Sequence, residues 1–177
     1  MTIAMTDTSS TGEQVGIHQD ISLFHQVWLT NLNKSALGLE FLQQCRITRL
    51  ECFRFDRELA EKLQLGGDTD ICGLIAISTN AGIVGLKDFA LPCNYLRGDL
   101  TMWFTLFHRL VGMSLMETIH YVQLKQETWD SIRVELVVSA LANLLEKIET
   151  SIQGKSNSGD LLNRAYLFDH TQAYISF

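Results

Sequence analysis

Proline is almost missing from this chain of 177 residues: Pro92 stands alone. Basic runs are missing too. The 14 Lys and Arg residues are scattered among 20 Asp and Glu, for a net charge of −6. That balance gives no support to nucleic-acid binding or to attachment to an anionic membrane. The one local group of arginines, Arg46, Arg49, Arg54 and Arg57, is interleaved with Glu51, Asp56 and Glu58 and reads as a solvated strand face. No apolar run approaches the roughly 18 residues of a membrane span. Residues 1–16, MTIAMTDTSSTGEQVG, lack the basic and apolar regions of a secretion signal. Four cysteines, Cys45, Cys52, Cys72 and Cys93, show neither C-x-x-C spacing nor a nearby His-x-x-x-His partner, which argues against zinc. They read as reduced, structural thiols of a cytoplasmic protein. A Gly-x-Ser-x-Gly elbow, a phosphate loop and a dinucleotide fingerprint are also absent.

What is present is an ample hydrophobic fraction, 46%, with mean hydropathy close to zero, as in a globular domain. The length favours one domain with a real core. Residues 1–16 are Thr/Ser/Gly-rich and are predicted to be disordered. A helical N-terminal arm is predicted over 17–45. Asp20 can cap a helix with Ile21, Phe24, Trp28 and Leu32 on one face, and Ser35 a shorter one with Leu37, Phe41 and Leu42. Phe24, Trp28 and Phe41 are candidate interface residues.

The character changes at Arg46. RITRLECFRF (46–55) is rich in β-branched and aromatic residues and reads as a strand. RELAEKLQLGGD (57–68) breaks it, with Gly66-Gly67 marking a loop. ICGLIAIS (71–78) is nearly all apolar, so it reads as a strand buried on both faces. The turn TNAG follows, where Asn80 and Gly82 tolerate positive φ. IVGLKDFAL (83–91) is the return strand, and Pro92 ends the sheet.

The rest reads as helical. Asp99 can cap a helix with Leu100, Trp103, Phe104, Phe107, Leu110 and Val111 in one stripe, closed by Gly112. Ser114-Leu115-Met116-Glu117 is a capping box. Thr128 or Asp130 starts the longest helix, which runs to about Ile152. GKSNSGD (154–160) is a loop, and the tail 161–177 ends in the strand-like AYISF, which either pairs with the sheet or hangs free. The expectation is an α+β domain over 46–160: a three-stranded antiparallel meander followed by three helices packed on one face. Something else must cover the second face of the central strand.

Candidate catalytic groups are few. Asp169-His170 is the one acidic-His neighbour pair in the sequence, and in a strand adjacent side chains point to opposite faces. His108 and His120 read as helix-surface residues, while His18 and His25 fall in the arm. Tyr95, Arg97 and Asp99 sit in a loop without an assignable ligand.

The order of these segments resembles the N-terminal capping domain of the enolase superfamily, in the mandelate racemase and muconate-lactonizing branch. The resemblance covers residues 46–177. ITRLECFRF is similar to that domain's first strand, and ICGLIAISTNAGIVGLKDFAL to its central hairpin with a Gly-x-x-Gly strand after the turn. LFHRLVGMS is similar to the end of its first helix. SIRVELVVSALANLLEKIETSIQG is similar to its long helix, with the small residues Ser139, Ala140 and Ala142, and LLNRAYLFDHTQAYISF to the link into a first barrel strand.

In that family the chemistry sits in a C-terminal β/α barrel, whose carboxylates hold Mg²⁺ and whose Lys or His bases move the proton. A barrel needs about 200 or more residues, so the resemblance leaves no catalytic, cofactor or metal residue to assign within this chain. The implied flap is the connection 57–70, with Arg57, Lys62, Gly66, Gly67 and Asp68. Where the family often carries Gly-Trp-Gly-Glu, this chain has Gly85-Leu86-Lys87-Asp88, so Lys87 and Asp88 read as the remnant of a functional strand end. The expected function is that of a non-catalytic, stand-alone cap-like domain acting through protein–protein or self-association. The alternative is the specificity-giving cap of an enzyme whose barrel is a separate partner, with Mg²⁺ only in that partnership.

Overall fold

The computed structural model describes residues 36–96, 99–152 and 164–177. The predicted disordered segment 1–16, the helix from Asp20 with Phe24 and Trp28, His18 and His25, the cap Ser35, Arg97 and the loop 154–160 lie outside the described residues. Glu40–Phe177 form one compact unit.

Alternating and β-branched residues build the sheet where the sequence predicts it. Helix α1 (Ala36–Gln44) leads into strand β1 (Ile47–Phe55), with Leu42 and Cys45 buried and Phe41 half-buried. Strands β2 (Asp70–Thr79) and β3 (Val84–Pro92) complete an antiparallel meander. Residues Cys72–Ile77 are all buried, so the central strand is covered on both faces. In the hairpin Gly82 takes φ +75°, as its turn requires. Asn80 does not adopt positive φ. Its side chain accepts from the Arg46 amide at 2.9 Å and donates to the Gln44 carbonyl at 3.3 Å, tying the turn to the entry of β1.

The three-strand expectation is corrected by a fourth strand. β4 (Thr171–Ser176) pairs antiparallel with β1, giving the order β3-β2-β1-β4. AYISF therefore joins the sheet. The physical reason is that β1 presents two hydrogen-bonding edges, and β2 satisfies only one of them.

A second correction concerns the helices. On one sheet face lie the short helix α3 (Leu100–Phe104), a 3-10 turn (Thr105–Leu110), α4 (Leu115–Lys125) and the long α5 (Ser131–Ile152). The predicted continuous stripe from Leu100 splits, because Phe104, Phe107 and Leu110 are spaced by three, the period of a 3-10 helix, and all three are fully buried. Gly112 ends the segment at φ +88°. Ser114 and Glu117 form the complete capping box, with Ser114 N–H donating to Glu117 at 2.7 Å and Glu117 N–H to Ser114 Oγ at 3.2 Å. α5 packs tightly against β3 at Gly85. A Cβ there would come within 2.4 Å of the Ala140 carbonyl oxygen and 2.6 Å of Leu144 Cβ, so only glycine lets the two backbones meet.

The opposite face carries its own helices. The stretch read as a loop after β1 contains α2 (Arg57–Lys62), capped by Asp56. α6 (Arg164–Asp169) precedes β4. Leu59 of α2 and Leu167 of α6 pack with Phe53, Phe55, Leu74 and Ala76 in a second apolar cluster. Helices thus lie on both faces, since an apolar β2 must be covered on both.

The free edge of β3 is closed from within. Asn143 of α5 accepts from the Leu86 amide at 3.0 Å, and Lys147 donates to the Val84 carbonyl at 2.9 Å. Among the described residues, no helix is long and apolar enough to cross a membrane.

Candidate functional site

The end of β1, α2 and the connection into β2 enclose a polar cleft of about 440 Å³. Its wall includes Arg54, Asp56, Arg57, Glu61, Asp68 and Asp70. Four of the five predicted flap residues, Arg57, Gly66, Gly67 and Asp68, line it. Lys62 does not; it donates to the Tyr166 hydroxyl at 3.1 Å and lies over the Tyr166 ring.

Charges in the cleft pair with one another. Arg57 donates from Nε to Glu61 at 2.6 Å and from Nη2 to Asp68 at 3.2 Å. The Glu61 bond first, then the Asp68 charge, holds the guanidinium pKa above its ordinary value. Asp70 accepts from the Gly67 amide at 2.6 Å, which shapes the loop mouth, and Gly66 stands at φ +61°. Cys72 at the back donates to the Leu65 carbonyl at 3.3 Å. Burial raises its thiol pKa, the Asp70 charge adding to the shift. Buried Cys52 is pushed up to about 12 by the same desolvation. Among the described residues, no group of three or more His, Cys, Asp or Glu is placed to hold a metal ion.

Asp56 links the cleft to β4. One carboxylate oxygen accepts from the Leu59 amide at 2.8 Å and caps α2, and the other faces His170 Nδ1 at 3.1 Å. His170 therefore pairs with Asp56 across the sheet end rather than with its neighbour Asp169. The pair orients the imidazole, but no nucleophilic side chain is hydrogen-bonded to His170 among the described residues. His108 and His120 are exposed, as expected of helix-surface residues, and the His108 ring meets Phe177 edge-on at 5.1 Å. Lys87 and Asp88 sit in the middle of β3, on opposite faces, with 3.8 Å between their charged groups.

A second, shallower pocket of about 480 Å³ lies over the start of α5, lined by Tyr95, Asp99, Trp103, Asp130 and Arg133 among others. Asp130 is the cap of α5. It accepts from the Arg133 amide at 3.0 Å and pairs with the Arg133 guanidinium, which lies 4.9 Å over the Trp103 ring. Burial works to raise the Asp130 pKa, but bonds from the Tyr95 hydroxyl and the Arg133 amide, with the Arg133 charge, carry it below its ordinary value. Tyr95 is pushed up to about 12, by desolvation first and then by its bond to Asp130. The sequence offers Thr128 or Asp130 as the start of this helix and no partner for Tyr95, since Tyr95 and Asp130 lie 35 positions apart.

A third feature has no counterpart in the sequence reading. Phe53, Phe168 and Tyr174 form a mutually contacting aromatic triad on the less covered sheet face, with ring centroids 4.9 to 5.4 Å apart. Phe53 is buried, whereas Phe168 is 43% and Tyr174 39% exposed. The β4 register, with Tyr174 opposite Phe53, puts Tyr174 on that face. Comparison of the chain with protein-family models, with curated proteins and with solved structures returns no match.

Proposed function

We propose that this chain is a non-catalytic, cap-like module that acts by protein–protein association, a second copy of itself included. The aromatic triad carries the reading. Two large rings stand partly open on a sheet face whose described covering is two six-residue helices, α2 and α6. Aromatic side chains are enriched at association surfaces, where a partner covers rings such as these. The finer fold proposed with it is that of an enolase-type cap, on the ground that the β1–β2–β3 meander precedes the main helical layer. Binding of an apolar fluorescent dye, with light scattering, tests the reading. The wild type should bind dye or self-associate, and Phe168→Ser should weaken both. A strictly monomeric wild type that takes up no dye rules it out.

The polar cleft favours a second reading: a capping subunit of a Mg²⁺-dependent enzyme, whose barrel is a separate chain. The cleft lies in the connection after β1, where such a cap presents its specificity loop. This reading requires turnover that appears only on mixing with a barrel protein and that responds to Arg57→Ala through KM. The lack of a barrel-encoding frame beside the gene removes it.

A further inference from the structure

The sheet has two edges, and the chain treats them differently. At β3 the outward Leu86 amide and Val84 carbonyl are taken by Asn143 and Lys147 of the same molecule. At β4 nothing comparable occurs among the described residues. Leu50 and Phe177 exchange both backbone bonds, at 3.1 and 3.0 Å. Antiparallel alternation then turns Ile175 toward β1 and turns the N–H and C=O of Tyr174 and Ser176 away from it. Both residues are exposed. The strand reads TQAYIS, with no charge and no proline, so it carries none of the residues that guard open edges. Its register irregularity lies at Arg54/Phe55, so Ala173–Ser176 run regularly.

We propose that β4 pairs edge to edge, antiparallel and two-fold, with β4 of a second copy, joining two four-stranded sheets into one of eight strands. The proposal rests on the association reading and names its partner. An antiparallel edge is self-complementary: with the axis at Ile175, Tyr174 of each copy faces Ser176 of the other, and the four backbone bonds satisfy the outward groups of both. Charge points the same way. Each copy carries −6, so most surface patches of two copies repel, while this strand brings no like charges together. The axis runs perpendicular to the sheet, so both aromatic triads come to the same face on either side of it. Pairing at the edge thereby extends the patch that supports the association reading.

Ser176→Pro tests the pairing. The Ser176 amide faces away from β1, so proline there leaves the β1–β4 ladder in place while blocking the outer edge. Light scattering of the full chain should give twice the 20.0 kDa chain mass for wild type and a single chain mass for Ser176→Pro, with unchanged circular dichroism. Ser176→Lys should act in the same direction if the proline variant does not fold. Amide exchange at Tyr174 and Ser176 should be slow in wild type and fast in the monomeric variant. A wild type that stays monomeric at every concentration overturns the pairing, as does a dimer that survives both substitutions. If that dimer is lost on Phe168→Ser, or if monomeric wild type binds dye, the association reading stands without the edge pairing. A monomer that binds no dye ends both.

Discussion

The Tyr174 hydroxyl donates to Glu51 at 2.5 Å, across the β1–β4 ladder. Glu51 is only 2% exposed, and Arg49 stands 3.9 Å from it. A short bond to a carboxylate in such a setting contributes more than a neutral one.

Tyr174→Phe keeps the ring against Phe53 and removes only this bond. The expected cost is about 1.5 kcal/mol, the lower end for a bond to a charged group, because the Tyr174 ring is partly solvated. Urea unfolding should show a lower midpoint with an unchanged slope. An unaltered midpoint would mean that the bond adds nothing to stability.

Gly85→Ala should be costly despite its small size. The new methyl would meet backbone oxygen on α5, and neither β3 nor the helix can yield without disturbing the Asn143 and Lys147 bonds beside it. Overpacking of this kind costs about 1–3 kcal/mol. The thermal midpoint should fall well below that of the exposed control Gly82→Asn, where an added Cβ meets nothing within 4 Å and asparagine tolerates positive φ. Equal midpoints would contradict the close approach of α5 to β3.

The capping box ties α4 to pH. Glu117 is held below its ordinary pKa chiefly by the Ser114 amide, then by the Ser114 hydroxyl, with a smaller pull from Arg46. A carboxylate whose folded pKa is depressed contributes stability above its unfolded pKa and loses it as pH falls through the folded value. Stability from this group is therefore complete above about pH 4.5 and drains below it. Glu117→Gln should flatten that acid limb, and Ser114→Ala should cost about 1 kcal/mol near neutrality. Acid unfolding curves that superimpose for Glu117→Gln and wild type would refute the coupling.

Tyr95 gives the opposite limb. Its folded pKa of about 12 lies above the ordinary tyrosine value of 10.0. The protonated phenol is therefore favoured by folding, and its contribution is complete below pH 10 and lost between 10 and 12. Phenolate absorbance at high pH should include a late-titrating step in wild type that disappears in Tyr95→Phe. A wild-type titration with a single step near 10 would contradict the Tyr95–Asp130 bond.

Local signals were legible, and distant ones were not. Ser114 and Glu117 lie three residues apart, so their reciprocal bonds follow from the string of letters. The same holds for the β2–β3 hairpin and for Asp99, whose side chain accepts from the Thr101 amide. The fourth strand was visible as AYISF, but its place was not, because its partner β1 lies more than a hundred positions earlier. α2 escaped because Asp56 reads equally well as the end of a strand or the cap of a helix. In the candidate cleft, Arg57, Gly66, Gly67 and Asp68 come together because they belong to one connection. The Asp56–His170 pair and the aromatic triad depend on the β4 register, which no local pattern encodes.

That register has a consequence for timing. β1 is an inner strand, yet it is made early, and its second flank stays bare while β2, β3 and the long helices are synthesised. The β2–β3 hairpin closes locally and the long helix reaches β3 across about 60 positions, whereas Glu51 meets Ser176 only after a loop about twice that long closes. The last strand therefore docks late onto a preformed sheet. By the same reasoning its amides are the first of the sheet to exchange with solvent when the isolated molecule breathes.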